Sequence, residues 1–138
     1  MKILELLTSK RALGNRGEQE ACRYLKKHGY KILRRNFVAE GAEIDIVAEC
    51  TEATVFVEVK ARTLERQSEK EPRPASAVTP QKQRKILKTA KFFPKNPDKM
   101  MRFDVIEVIY SIQDAKRPLK INHLISAFNY DSAYGRYL

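Results

Sequence analysis

The stretch that decides the fold is EIDIVAECTEATVFVEVKAR, residues 43 to 62. Apolar residues alternate with other residues along both halves, which predicts two strands joined by a turn at residues 51–52. In this hairpin the apolar faces match only when Asp45 lies opposite Glu58. Facing carboxylates destabilise an antiparallel pair, so the hairpin needs something that compensates for their repulsion.

The two faces of the predicted hairpin differ in character. One is entirely apolar and is predicted to form the core; it carries Ile44, Ile46, Ala48, Val55, Val57 and Val59. The other face combines the charges with Val47 and Phe56, which favours a partly covered surface. Glu43 is predicted opposite Lys60 on that face, and a solvent-exposed ion pair between the two is the plain structural alternative.

A divalent cation is the economical compensation for the facing carboxylates. Hard ions such as Mg²⁺ or Mn²⁺ prefer carboxylate and carbonyl oxygens, so Asp45, Glu58 and the backbone carbonyl of Val59 are the predicted ligands. Lys60, the next residue, is predicted to bind a phosphate or to help activate water.

A helix predicted from about Lys10 to Lys27 offers a third acid. Its buried stripe has the spacing i, i+3, i+4, i+7 and consists of Glu18, Ala21, Cys22 and Leu25. Glutamate is rarely buried without a partner, so Glu18 is predicted to join Asp45 and Glu58. The alternative is a glutamate at the margin of the helix that caps nearby amides.

The charge of the chain indicates the class of partner. There are 27 Lys and Arg against 17 Asp and Glu in 138 residues, a formal net charge of +10. Such an excess attracts polyanions, of which nucleic acid is the commonest in a cytosol. The basic residues predicted to contact it are Arg34, Arg35, Lys82, Arg84, Lys85 and Lys88. A basic protein without such a partner is the alternative.

The remaining pattern predicts a single α/β domain over residues 1–138, with a core from about 10 to 125. The predicted order is α-β-β-β-α-β-β, a mixed β-sheet flanked by helices. Residues 63–79 are predicted to form a mobile loop, Pro80 to begin the second helix, and residues 129–138 to form a loose tail. Two cysteines are too few for a disulfide framework, and no signal peptide or membrane span is predicted, so we expect a cytoplasmic protein.

Several stretches resemble one known family in their order and spacing. They are GNRGEQEACRYLKKHGYKILRRNF, AEIDIVA, VFVEVKAR, AVTPQKQRKI and RFDVIEV, between Gly14 and Val108. They resemble the YraN-like family of uncharacterised, nuclease-like bacterial proteins, which are similar to archaeal Holliday junction resolvases. Asp45 followed by Glu58-Val59-Lys60 also resembles the signature of the PD-(D/E)xK nuclease superfamily.

The resemblance implies a restriction-endonuclease-like core and metal-dependent hydrolysis of DNA, with branched or structured DNA among the candidate substrates. Glu18 matches the helix glutamate of the family, Asp45 and Glu58 match the metal ligands, and Lys60 matches the catalytic lysine. Glu43 matches a supporting acid, although Ala42 departs from the usual G-E-I-D spelling.

Two further features follow from the resemblance. Gln83, or its neighbour Lys82, falls where related nucleases place a polar helix residue that faces the site, so Gln83 joins the predicted nucleic-acid contacts. The loop after Lys60 lacks the glycine expected there. The resemblance therefore covers the acid cluster but does not establish the loop that faces the substrate.

Three classes of function remain open from the sequence. The first is a metal-dependent nuclease that acts on DNA rather than RNA; a homodimer is expected if two strands are cut symmetrically. The second is a nucleic-acid-binding protein that keeps the fold and does not cleave. The third is a protein-interaction subunit of a DNA-processing assembly.

Overall fold

The computed structural model describes residues 10–64, 78–114 and 116–135 of the chain. The helices there are α1 (Lys10–Lys27), α2 (Pro80–Ala90) and α3 (Tyr130–Tyr134). The strands are β1 (Lys31–Ala39), β2 (Ala42–Glu49), β3 (Ala53–Leu64), β4 (Met100–Ser111) and β5 (Lys120–Leu124). Within these ranges no helix combines the length and the apolar character that crossing a membrane requires.

The five strands form one mixed sheet in the order β1-β2-β3-β4-β5. Neighbouring strands are antiparallel except β3 and β4, which run parallel because the chain crosses over through α2 between them. The predicted α/β class, mixed sheet and element order are confirmed, and the structure adds α3 at the end. This arrangement is compatible with a nuclease-like core.

The sheet is buried on both faces, more completely than the partial covering predicted for the face with Val47 and Phe56. On the α1 side, Ala21 and Leu25 pack against a strand cluster that includes Ile46, Ala48, Val55 and Val57. On the other side α2 and α3 cover a second cluster that includes Ile44, Val47, Phe56, Ile86, Leu87, Phe103 and Ala133.

Part of the predicted core face is therefore confirmed and part is wrong. Ile46, Ala48, Val55 and Val57 share one buried face as predicted. Ile44 instead packs in the second cluster with Val47 and Phe56; it lies beyond Ile46, the last β2 residue that pairs with β3.

A tight turn connects β1 to β2 and leads the chain to the acids. Ala39 pairs with Ala42, and the two residues between them have positive φ, 53° at Glu40 and 72° at Gly41. Two consecutive positive φ values define a type I′ turn, whose twist matches that of the flanking strands.

The ends of β3 and α2 differ from the prediction. β3 continues through Thr63 and Leu64, so the strand is longer than predicted; residues 65–77 of the predicted loop lie outside the described residues. α2 begins with a Thr79 N-cap whose side chain accepts a hydrogen bond from the backbone N–H of Lys82. The helix ends at Ala90.

The predicted loose tail contains a helix, so that expectation is wrong over residues 130–134. Asn129 and Ser132 form a reciprocal capping box, and Gly135 closes the helix with φ 65°. Ala133 is fully buried against α2. These caps satisfy backbone groups at both ends of the helix and so stabilise a helix of only five residues. Residues 136–138 lie outside the described residues.

A buried ionic network holds the first half of β4 in place. Asp104 has no exposed surface and accepts hydrogen bonds from Arg102, from His123 Nε2 at 2.8 Å, and from the backbone N–H of Ser126 at 3.0 Å. Arg102 also donates to the hydroxyl of Tyr30 at 2.7 Å. The network ties β4 to β5 and to the start of β1.

Candidate functional site

The candidate site lies where β2 and β3 stop pairing. Their ladder has the predicted register and ends at Ile46 opposite Val57. One step further, where Asp45 and Glu58 were predicted to pair, Asp45 Oδ2 instead accepts the backbone N–H of Val59 at 2.8 Å. The aspartate side chain thus takes the place of a backbone acceptor, and the two strands separate around it.

The predicted pairing of Glu43 with Lys60 is wrong for the same reason. The β2–β3 ladder ends before this position. On the other edges of the two strands, Glu43 pairs with Val38 of β1 and Lys60 pairs with Glu107 of β4. The Glu43 side chain instead lies beside Asn36, with 3.3 Å between Oε1 and Nδ2.

Glu58 is the most enclosed acid of the site. It is 5% exposed, and its Oε1 lies 3.4 Å from Lys82 Nζ and 3.8 Å from Lys60 Nζ. Its other oxygen, Oε2, is buried and has no hydrogen-bond partner among the described residues. Leaving a buried polar atom unpaired costs about 1–3 kcal/mol, so this oxygen is poised for a ligand.

The two carboxyls oppose each other's ionisation. Burial, followed by the charge of Glu58, raises the pKa of Asp45 to about 7, although the Val59 N–H and Lys82 act to lower it. Burial also raises the pKa of Glu58 against the lowering effect of Lys82 and Lys60. A cation held between them would favour both ionised forms.

Glu18 approaches this pair from α1. Its charge acts to raise the pKa values of both Asp45 and Glu58, so the three acids are electrostatic neighbours, as the sequence predicts. Glu18 is 14% exposed, and its Oε1 lies 3.5 Å from Arg35 Nη2 and 3.0 Å from Asn36 Nδ2.

The close approach of α1 depends on a glycine. A Cβ added at Gly17 would lie 2.7 Å from the Cβ of Ala61 on β3. No side chain fits in that space, so only glycine lets the helix come this near and bring the adjacent Glu18 to the strand fork, the point beyond Ile46 and Val57 where β2 and β3 separate.

Asn36 is a site residue that the sequence reasoning missed. It has φ 53° on β1, the left-handed region that asparagine tolerates better than most residues. Its Nδ2 lies within hydrogen-bond distance of both Glu18 Oε1 and Glu43 Oε1. The available signal was an asparagine inside a predicted strand, where this residue type is depleted.

An open pocket of about 240 Å³ adjoins the acids. It is lined by Gly41, Ala42, Glu43, Asp45, Lys82, Lys85 and Ile86. The β1–β2 turn and β2 provide its acidic side, and α2 provides its basic side. The lysines thus face the acids across a space open to a charged ligand.

The predicted nucleic-acid residues of α2 have three different surroundings. Lys82 and Lys85 line the pocket. Arg84 turns toward α3, where its Nε donates to the carbonyl of Ala133 at 2.7 Å. The amide of Gln83 is engaged with the Val78 carbonyl and the Ser132 hydroxyl. Lys88 is exposed in the last turn.

The two arginines of β1 occupy different surroundings. The guanidinium of Arg34 lies over the ring of Phe37, 5.6 Å from its centroid. Arg35 is 40% exposed and pairs with Glu18, so it neutralises an acid of the candidate site. Their contacts with nucleic acid stay predictions.

A second missed feature is Arg62, on the same face of β3 as Glu58 and Lys60. Its Nε donates to Oε2 of the fully buried Glu107 at 2.7 Å. Alternation along the sequence EVKAR already places Arg62 on this face. Its partner lies on β4 and could not be identified from the sequence.

The residues present fit a magnesium-type ion as a two-carboxylate site. In the described part of the chain, no three His, Cys, Asp or Glu side chains are grouped so that together they could hold a metal. Mg²⁺ is commonly held by one or two protein carboxylates together with substrate phosphates. Asp45 and the unpaired oxygen of Glu58 supply that minimum, while Glu18 and the Val59 carbonyl stay predicted ligands.

Comparison with known proteins places the chain in a family. The model of "Uncharacterised protein family UPF0102" matches residues 17–108. A UPF0102 protein of Caldicellulosiruptor saccharolyticus is 42% identical over 123 residues, which cover 87% of this chain and 99% of the relative. One from Syntrophomonas wolfei is 41% identical over 86% of this chain and 98% of its own length.

A UPF0102 protein of Geobacter metallireducens is 44% identical over 121 residues, covering 86% of this chain and 93% of the relative. The matched region includes the helix glutamate, the strand fork and α2, which together build the candidate site. The chain therefore belongs to the UPF0102, or YraN-like, family.

Proposed function

We propose that the chain is a nuclease that hydrolyses phosphodiester bonds of DNA with Mg²⁺ or Mn²⁺. The observation that carries this proposal is the buried Oε2 of Glu58 beside Asp45 at the strand fork, which has no hydrogen-bond partner among the residues that the structure describes. A buried carboxylate oxygen without a donor is costly in a purely structural site. It is useful in a site that receives a cation.

Each residue has a distinct role in this proposal. Asp45 and Glu58 hold the ion, and the Val59 N–H orients Asp45. The ion supplies Lewis-acid stabilisation of the charge that develops on the phosphate and promotes ionisation of water. Lys60 and Lys82 exchange their contacts with Glu58 Oε1 for contacts with the substrate phosphate.

The distribution of charge supports a polyanionic substrate. Acids are concentrated at the fork, whereas the chain as a whole has a formal charge of +10. α2 has no acidic residue, and its Lys82 and Lys85 line the pocket. Phosphodiester cleavage requires both features: acids to hold the metal and bases to hold the polyanion.

One observation favours the second class, a protein that binds nucleic acid without cleaving it. Lys60 and Lys82 both lie within ion-pair distance of Glu58, and such pairs can neutralise a buried acid for structural reasons alone. If Glu58 only stabilises the fold, Asp45→Asn should change neither the response of the protein to metal nor any cleavage of DNA.

The decisive experiment measures cleavage of duplex, single-stranded and four-way-junction DNA with Mg²⁺, Mn²⁺ or EDTA. Metal-dependent cleavage by the wild type and its loss in Asp45→Asn support the proposal. Asp98→Asn is the matched control, because it makes the same chemical change at an exposed residue after α2. Absence of cleavage on all three substrates with either metal would overturn the nuclease proposal.

A further inference from the structure

α3 presents two tyrosine rings beside the basic face of α2. Tyr130 and Tyr134 are 38% and 44% exposed. Their rings lie within 8° of parallel, with centroids 6.4 Å apart. This separation is about twice the 3.4 Å rise between stacked bases. We call these two rings, with Arg84 and Lys91, the aromatic platform.

A cation from α2 or from its C-cap lies over each ring. Lys91 Nζ is 5.4 Å from the centroid of Tyr130, and the Arg84 guanidinium is 5.4 Å from that of Tyr134. Arg84 is itself anchored by its hydrogen bond to the Ala133 carbonyl. The rings are therefore held in a defined orientation, with positive charge beside them.

We propose that the aromatic platform binds unpaired nucleotides, so that the substrate of the candidate site is single-stranded or locally unpaired DNA. This inference rests on the proposed function and specifies its substrate class. Aromatic rings beside a basic groove hold single strands because each base stacks through its flat face while its phosphate meets a cation. In a duplex those base faces are already stacked on one another.

A continuous basic path joins the aromatic platform to the pocket. At 3.6 residues per turn, Lys82, Lys85 and Lys88 wind around α2 toward the side that carries Arg84 and Lys91. The acids and Lys82 lie at one end of this path, and Tyr130, beside Lys91, lies at the other. Tyr134 lies beside Arg84, on the side of α2 opposite Lys82. Lys82 to Lys91 spans about 14 Å along the axis, or about four stacked nucleotides.

Contacts that do not involve the cations of the aromatic platform hold α3 in position. α3 is fixed by its capping box, by the buried Ala133, and by the hydrogen bond from the Ser132 hydroxyl to Gln83 on α2. The tyrosines flank that buried residue and stay exposed. The core therefore requires the helix to dock, but it does not require the exposed rings.

The test measures fluorescence anisotropy of a labelled oligonucleotide, single-stranded or annealed to its complement, in EDTA so that no cleavage occurs. Tyr130→Leu and Tyr134→Leu should each weaken single-strand binding about tenfold, as expected for the loss of one base–ring stack. Phenylalanine at either position should preserve binding. Duplex affinity should change much less.

Salt dependence separates stacking from charge. The leucine variants should keep the wild-type slope of log affinity against log salt, whereas Lys88→Gln should reduce it by about 0.7 for the lost phosphate contact. Lys26→Gln is the matched control, because this exposed lysine lies on α1, across the sheet from α2. Melting curves check that α3 stays docked.

The possible outcomes distinguish failure of the aromatic platform from failure of the nuclease proposal. Wild-type single-strand affinity in folded leucine variants overturns the platform and leaves the metal-dependent cleavage test intact. Equal losses on duplex and single strand also overturn it, because stacking on unpaired bases predicts a difference. If the wild type binds neither form, the platform is overturned, and the cleavage assay with Mg²⁺ or Mn²⁺ decides the nuclease proposal separately.

Discussion

Asp45 Oδ2 accepts the backbone N–H of Val59 at 2.8 Å, one residue beyond the last paired position of β2 and β3. This bond resolves the conflict in the hairpin sequence. The strands separate instead of forcing Asp45 and Glu58 into a ladder pair, and the aspartate satisfies the amide that the separation leaves unpaired.

Asp45→Asn should leave the stability of the metal-free protein unchanged or raise it by up to roughly 1 kcal/mol. Asparagine keeps an oxygen that accepts the Val59 N–H, and it removes the repulsion from Glu58. It should also abolish the rise in melting temperature that Mg²⁺ or Mn²⁺ gives the wild type, because binding to the folded state stabilises it. Melting curves in EDTA and in excess Mn²⁺ measure both effects. A large destabilisation in EDTA, with no metal response in the wild type, contradicts the metal site.

Asp45 and Asp104 should give opposite pH dependence. The pKa of Asp45 is raised from its ordinary value of 3.8 to about 7, so its contribution to stability is full below about pH 4 and is lost as pH rises through 7. Burial acts to raise the pKa of Asp104 as well, but hydrogen bonds from His123 and Arg102 outweigh it and lower the pKa. Its contribution is therefore present above the ordinary value and is lost as pH falls.

Denaturant unfolding in EDTA between pH 4 and 8 tests this contrast. Relative to Asp45→Asn, the wild type should lose stability as pH rises. Relative to Asp104→Asn, it should keep a stability advantage across the range and lose it only in more acidic solution. Parallel pH profiles for the wild type and Asp45→Asn would refute the raised pKa.

Asn36→Gly should weaken Mn²⁺ binding about 10- to 100-fold, the usual effect of removing a residue that orients a metal ligand, here the predicted ligand Glu18. Glycine adopts φ 53° without strain, so the change removes the amide that bridges Glu18 and Glu43 and preserves the backbone. Isothermal titration calorimetry with Mn²⁺ measures the effect, and urea unfolding checks the fold. Unchanged Mn²⁺ affinity would mean that the bridge is structural only.

Gly17→Ala should cost about 1–3 kcal/mol, because its Cβ would lie 2.7 Å from the Cβ of Ala61. Gly14→Ala is the matched control on the same helix: nothing lies within 4 Å of its added Cβ, and alanine should stabilise the helix by up to about 1 kcal/mol. Urea unfolding compares the two variants. Ala61→Gly should suppress the penalty at position 17, and equal effects of the two alanines would contradict the close approach.

The sequence by itself determined the local architecture. Alternation with a period of two establishes the hairpin register, which the Ile46–Val57 and Val47–Phe56 pairs confirm. Helical spacing locates α1, and Pro80 marks the start of α2. These features depend on neighbours in the chain, so periodicity and capping residues are enough to predict them.

Only the tertiary structure decided how the acids meet and what surrounds them. Asn36 bridges Glu18 and Glu43 across three elements, and Lys82 reaches Glu58 from a helix later in the chain. The helices also cover both faces of the sheet, so Val47 and Phe56 are buried on the side that carries Glu58. Such contacts arise when distant segments pack and share buried space, and no local period in the sequence records which residues will meet there.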